Sequence, residues 1–513
     1  MLFVLAATLC LPSHLEADVA APGGDYVDVT FTVPEGTKEI RIAHSDGSAT
    51  DILDWGVWSP DGFRGWGGGL TEDAIIGVEQ SSRGYLPGPI TPGTWTVVVG
   101  KAQLDGDGGH YAIDVACSDT ASLPVLPKAA FSATVLDGQR RWYKGDFHVH
   151  SRESGDASTT LDQIAALAAQ RGLDFVNLSD HNTVSQHALQ AAFLASHRSV
   201  LLLRGAEITT YAGHGNAVGL EDYVDHRIGY AGRTISGVLD DVGAQGAIFI
   251  VNHPKLDLGD ACIGCTWEHA NTPWEKVAGM ELITGNWLLS VSGFVPAAIE
   301  MWDGLLDRGY LIAAIGGSDD HTAGRSQGPS ASPIGSPTTR VLADNLSEAA
   351  IIEGVRRGRT MVQLRGPDDP VLEVTLRNAA GAESEIGDTL FGISRVRLAI
   401  RVTGGDGMIA QVFRDGAPLE PDMPIVGNDF STVFEEEPGA GAFRYRVEIL
   451  SAGGQPVVIT SHFYVQALDR GTGGCGCGAG GELSGGVVPL AIVLAPWLRR
   501  RQVRARRTAR QSH

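Results

Sequence analysis

Hydrophobic periodicity changes twice along this chain, and those changes constrain its fold more than any other feature. From about residue 20 to 120, apolar and polar residues alternate, as in Tyr26-Val27-Asp28-Val29-Thr30-Phe31-Thr32-Val33 and Thr94-Trp95-Thr96-Val97-Val98-Val99. Period 2 with Gly and Pro between the runs predicts antiparallel β structure, a sandwich. From about 140 to 360, short continuous apolar runs such as Ala247-Ile248-Phe249-Ile250-Val251 alternate with helix-like stripes. Strands buried on both faces and separated by helices predict a parallel sheet. From about 368 to 467 alternation returns, predicting a second sandwich. The boundaries expected are 21–123, 138–365 and 368–467.

In the middle region, helices are expected at 161–171, started by Thr159 with Asp162 and ended by Gly172, and at 297–308, with Ile299, Trp302, Leu305 and Leu306 inward. Seven apolar runs read as strands, near 141–149, 174–179, 200–203, 215–219, 247–251, 279–283 and 310–315.

Both ends look like targeting segments. The apolar start, followed by small residues, reads as a signal peptide over 1–20. Residues 471–513 hold a Gly-rich linker with Cys475-Gly476-Cys477, an apolar run at 487–498 and an arginine cluster. The run is short for a bilayer span. That order resembles the C-terminal sorting tags of exported myxobacterial proteins. It implies export to the periplasm, cell surface or medium, with transient or anchored membrane association through the tail. The chain has six cysteines. Cys10 would leave with the signal peptide and Cys117 would be unpaired. Cys262-Ile263-Gly264-Cys265 reads as a local disulfide, a zinc knuckle with His269 being the weaker alternative. The net charge of −21 argues against nonspecific nucleic-acid binding.

The chemistry lies in the polar residues at the ends of the middle-region strands. His148 and His150 (Asp-Phe-His-Val-His) close the first run, on one face, with Asp156 shortly after. Asp180 and His181 follow the second, Glu207 the third, and His214 opens the fourth. His253 follows the fifth; Asp319 and His321 follow the seventh. Parallel strand ends converge on one mouth, so these side chains would share a pocket. Crowded carboxylates need compensating charge, and imidazole with carboxylate suits Zn, Mn or Fe. The lack of thiolates among them favours a water-activating site over a structural one.

As a set, these motifs resemble the PHP (polymerase and histidinol phosphatase) family of metal-dependent phosphoesterases, in its exported carbaryl-hydrolase-like subgroup. The resemblance covers about 140–365. It implies an α/β fold, a distorted (β/α)7 barrel here flanked by two all-β sandwiches, and a trinuclear site of three divalent ions. His148, His150, Glu207 and Asp319 would hold one ion. Glu207 would bridge to a second with His214 and His253, and Asp156, His181 and His321 would hold the third. Some members have His where this chain has Asp156. The expected activity is hydrolysis of a small phosphomonoester or phosphodiester by a water shared between ions, with Asp180, His181 and Glu207 in the chemistry. Asp180 reads as an orienting partner or a pocket acid, and Lys255, Arg152 and Arg325 as candidates to meet phosphate. A carboxyl-ester, carbamate or amide substrate fits the same site. A surface-binding protein with an inactive barrel is the rival of another class, marked by lost ligands; none is lost.

Overall fold

The protein is described from a computed structural model, which covers residues 9–467 except 49, 107, 260–261, 327–330, 379–380 and 382. The predicted tail at 471–513 lies outside the described residues.

The N-terminal region is the expected sandwich. One sheet runs His14–Ala20, Gly108–Ser118, Glu39–Ser45, Ala74–Gly77; the other runs Tyr26–Val33, Gly93–Gln103, Ile52–Ser59, Gly62–Gly68. Alternation does the work here: Val29, Phe31 and Val33 point inward, packing with Trp55, Trp95, Ile40 and Ile42. The reading of 1–20 as a removable leader needs correction. His14–Ala20 pairs antiparallel with Gly108–Ser118, and buried Cys10 forms a disulfide with Cys117. Only Val19 of that strand is buried, so this polar edge strand had no period-2 signal. Residues 1–8 lie outside the described residues.

In the middle region the strands form two sheets. Leu201–Leu203, Phe175–Leu178 and Arg141–Val149 are parallel, and Thr338–Ala343 and Thr360–Gln363 continue that sheet antiparallel. The second sheet begins with antiparallel neighbours Gly205–Thr210, Gly213–Val218 and Ile248–Val251, then adds Val277–Thr284 and Ala313–Gly317 in parallel. The two sheets meet through isolated bridges His181↔Glu207 and Val149↔Asp320. The two sheets thus meet beside candidate ligands, without one continuous barrel ladder. Glu207 lies within its own strand, Gly205–Thr210, rather than in a loop after 200–203. That strand turns the polar Glu207 and Thr209 to one side, which hides it from a hydrophobicity reading.

The first helix spans Leu161–Gln170 and buries Ile164, Ala165 and Ala168. Its cap is Thr160 with Gln163, one residue later than expected. Thr159 instead donates to the His150 carbonyl oxygen at 2.7 Å. Phe294–Asp307 buries Trp302, Leu305 and Leu306 as predicted, while Ile299 is only partly buried.

The C-terminal sandwich is not a separate unit. Its sheet Pro456–Thr460, Gly441–Leu450, Ile409–Arg414, Ala417–Pro424 continues from Thr360–Gln363, with Met361 opposite Thr460. Buried Arg446 and Arg444 pair with Asp303 and Asp307 of the Phe294–Asp307 helix at 2.8 and 2.7 Å. Among the described residues, no helix is long and apolar enough to cross a membrane.

Candidate metal centre

His148 and His150 leave the Arg141–Val149 strand on one side, with ring centroids 5.1 Å apart. Both Nε2 atoms point at Asp319 Oδ1, 3.1 Å from each. Glu207 faces them from the other sheet, with Oε1 3.3 Å from His148 Nε2 and Oε2 3.8 Å from His150 Nε2. The two Nε2 atoms are buried without hydrogen-bond partners. Leaving buried polar atoms unpartnered is costly, and ring nitrogens ringed by carboxylate oxygens are what a cation site presents.

Glu207 is the hub. His253 Nε2 and His214 Nδ1 lie 3.5 and 3.6 Å from its Oε1, and His181 Nδ1 lies 2.8 Å from its Oε2. Asp156 Oδ2 joins His181 Nε2 at 3.3 Å and His321 Nε2 at 3.1 Å. Three mutually close groups result: His148, Glu207, His253; His148, His150, Asp319; and His150, Asp156, His181, His321. All nine predicted ligands converge in one cluster. His150 reaches into the Asp156 group, and its ring stacks 4.0 Å from that of His321. His214 falls instead in a group with Cys262 and Cys265, which form the expected disulfide.

Burial penalises charge here, yet the opposite charges prevail. Burial pushes the Glu207 carboxyl up, but His148 and His181 outweigh it and hold it well below the usual range. Asp319, beside His148 and His150, behaves likewise, and the more exposed Asp156 is held low by His181 and His321. His148 and His181 are held well above the ordinary imidazole value despite burial, and His321 rises to about 9. His150 falls to about 3 through burial and repulsion from His321 and His181. The raised imidazoles, His253 among them, thus offset the carboxylates, a balance that divalent ions would take over.

Neighbouring side chains orient the cluster. Glu281, fully buried, meets His148 Nδ1 at 3.0 Å and accepts from the His253 backbone N–H at 2.8 Å. Asn252 donates to Glu207 Oε1 at 2.7 Å, and the hydroxyl of Ser154 lies 2.9 Å from His150 Nδ1. Asp146 accepts from the backbone N–H groups of His148, Ser318 and Gly335. Sequence reasoning missed all four; Glu281 had one signal, a lone carboxylate inside an apolar strand. Asp319 and His253 have φ of +57° and +26°, strained for non-glycine residues and a common mark of functional positions.

The Asp180 carbonyl oxygen accepts from the Glu207 N–H at 3.1 Å, while its carboxylate turns to the Ser151–Ser154 loop. Its oxygens accept from Ser151 N–H, Ser151 hydroxyl and Ser154 N–H at 2.7, 2.7 and 3.3 Å, and burial raises it to about 6. It holds the loop that leads to Asp156. Arg325 bonds Thr322 O and Ser158 Oγ, and Lys255 and Arg152 are exposed.

The N-terminal sandwich walls this loop, which the sequence had not indicated. Gly84 N–H donates to Glu153 at 3.2 Å, Arg83 donates to Ala157 O at 2.9 Å, and Thr183 donates to Gly84 O at 3.0 Å. Tyr211, at the turn between the Glu207 and His214 strands, donates to Asp54 of the sandwich at 3.2 Å and stacks on Tyr26.

No family model matches the chain, and no curated protein matches it. Among solved structures it is similar to a Bacteroides vulgatus two-domain protein described as containing a predicted PHP-like metal-dependent phosphoesterase. That likeness has 19% identity over 66% of this chain and 100% of the other, with a TM-score of 0.36. A CARDB domain from Pyrococcus furiosus matches at 13% identity over 20% and 98%, with a TM-score of 0.14. A Bacteroides fragilis protein described as a putative beta-galactosidase matches at 9% over 89% and 74%, with a TM-score of 0.17. All three scores lie below 0.5, short of a shared overall fold.

Proposed function

We propose that this chain is a metal-dependent hydrolase of small esters, with phosphomonoesters or phosphodiesters as the substrate class. The observation that carries the reading is the buried His148/His150 pair, whose unpartnered Nε2 atoms face Glu207 and Asp319. His148, His150 and Asp319 would hold one divalent ion, and Glu207, His253 and His214 a second. Asp156, His181 and His321 would hold a third. Zn, Mn or Fe suits these donors. Bound ions would polarise the ester oxygen, acidify water and offset developing charge. Glu281, Asn252 and Ser154 keep the ligand rings and carboxylate aimed, and Asp180 sets the Asp156 loop. The same donors serve a carboxyl-ester or carbamate substrate. Export, and anchoring through the 471–513 tail, remain part of the proposal.

Purified protein should contain divalent transition metal and hydrolyse members of a phosphoester panel faster than matched carboxyl esters. His148→Ala combined with Glu207→Ala should lose both metal and activity. Wild-type protein free of transition metal after metal-supplemented expression, or full activity in the double variant, would falsify the reading. Preference for carboxyl esters would move it to the second substrate class.

A further inference from the structure

Two backbone carbonyls of the Cys262–Cys265 loop reach the ligand cluster. Ile263 O lies 3.0 Å from His214 Nε2, and Cys265 O lies 3.2 Å from His253 Nδ1. A carbonyl oxygen only accepts, so each of these ring nitrogens carries the proton. In the neutral rings the lone pairs then lie on His214 Nδ1 and His253 Nε2, the atoms 3.6 and 3.5 Å from Glu207 Oε1. Opposite tautomers are therefore aimed at one carboxylate oxygen by carbonyls two residues apart. A hydrogen bond to the far ring nitrogen fixes which nitrogen a metal meets.

The loop is tied down at several points. Thr266 Oγ1 donates to Leu256 O at 2.7 Å, and Trp267 N–H donates to Pro254 O at 3.1 Å. Gly264 adopts φ +73°, and a Cβ there would lie 2.3 Å from Thr210 O. The disulfide closes the turn across a Cα separation of 5.6 Å.

We propose that Cys262 and Cys265 are positioning residues for the metal ion held by Glu207, His214 and His253. Their disulfide keeps the Ile263 and Cys265 carbonyls where both imidazoles present the correct nitrogen. The inference rests on the reading of the cluster as a metal centre.

The test uses the full chain with Cys262→Ala and Cys265→Ala, which removes the crosslink without leaving thiols within ligand reach of His214. Metal per chain after dialysis against a chelator, and the tautomers of the two rings by nitrogen-15 NMR of metal-free protein, are the readouts. One ion should be lost, or its affinity should fall roughly 10–100-fold, while the remaining ions stay. The two rings should no longer hold single tautomers. If the double variant does not fold, Gly264→Ala displaces the same carbonyls and should act alike. A full metal complement at wild-type affinity with both tautomers kept overturns the inference. Wild-type protein that binds no transition metal overturns the metal-centre reading instead, and no variant is needed to see it.

Discussion

Glu207 meets five histidines through two oxygens, and nothing in its own neighbourhood of sequence announces that. Ala206 and Ile208 flank it as ordinary core residues. Its weight comes from the elements brought against it. Asp54 is a subtler residue. It sits half-buried at the sandwich wall, and burial pushes it from 3.8 up to about 6 against the Tyr211 hydrogen bond. A folded-state value above the unfolded one means that the native state binds the extra proton between about pH 4 and 6. Stability contributed by that proton is present at low pH and lost as pH rises through this window. Asp54→Asn keeps an acceptor for Tyr211 without the charge. The variant should match wild type near pH 4 and exceed it by about 1 kcal/mol above pH 6, after allowance for solvent screening. Denaturant melts at a series of pH values measure the difference; a constant offset across that range would refute it.

At the scale of elements, the centre depends on how closely the Ala313–Gly317 strand approaches Arg141–Val149. A Cβ at Gly317 would lie 2.4 Å from both the His148 Cβ and the Glu281 carboxylate. Glycine is therefore required by close approach, not by its backbone angle. Gly317→Ala should displace His148 and Glu281 together and weaken metal binding by about 10–100-fold, since supporting groups of ligands act on that scale. Competition with a chelator measures the affinity, and unchanged binding would show that the strands can part without cost to the site. The Asp319 turn after the same strand is held by its N–H donating to His148 O at 2.8 Å, so the two strand ends share one register.

For the whole molecule, the three regions behave as one assembly. The C-terminal sandwich shares a sheet with the middle region, and the N-terminal sandwich grips the loop carrying Asp156. Stacked Phe63 and Tyr223, with ring centroids 3.5 Å apart, and the Trp66–His226 contact at 4.5 Å extend that grip. The connection through 119–127 is mostly exposed. Limited proteolysis there should leave two fragments that co-elute on gel filtration and retain their metal. Separation of the fragments under native conditions would show that the sandwich is only tethered.

Much of this was legible from residue order alone. Period-2 alternation marked strands such as Tyr26–Val33 and Val396–Thr403, which have one face inside and one in water. Continuous apolar runs marked several of the middle strands, and most of the candidate ligands stood out because they follow the end of such a run. Local pattern could not report what depends on contacts across long stretches of chain. Cys10 finds Cys117 only through the pairing of His14–Ala20 with Gly108–Ser118. The strand Gly205–Thr210 is buried by the site it lines, so its polarity reads as a loop. Glu281 becomes a partner of His148 only when Val277–Thr284 lies beside Ala313–Gly317. Residue order determined which side chains are available for metal, since ligand chemistry belongs to residue type. Tertiary structure decided that Glu207 joins the groups and that a sandwich and a disulfide loop brace them, because distance is set by packing.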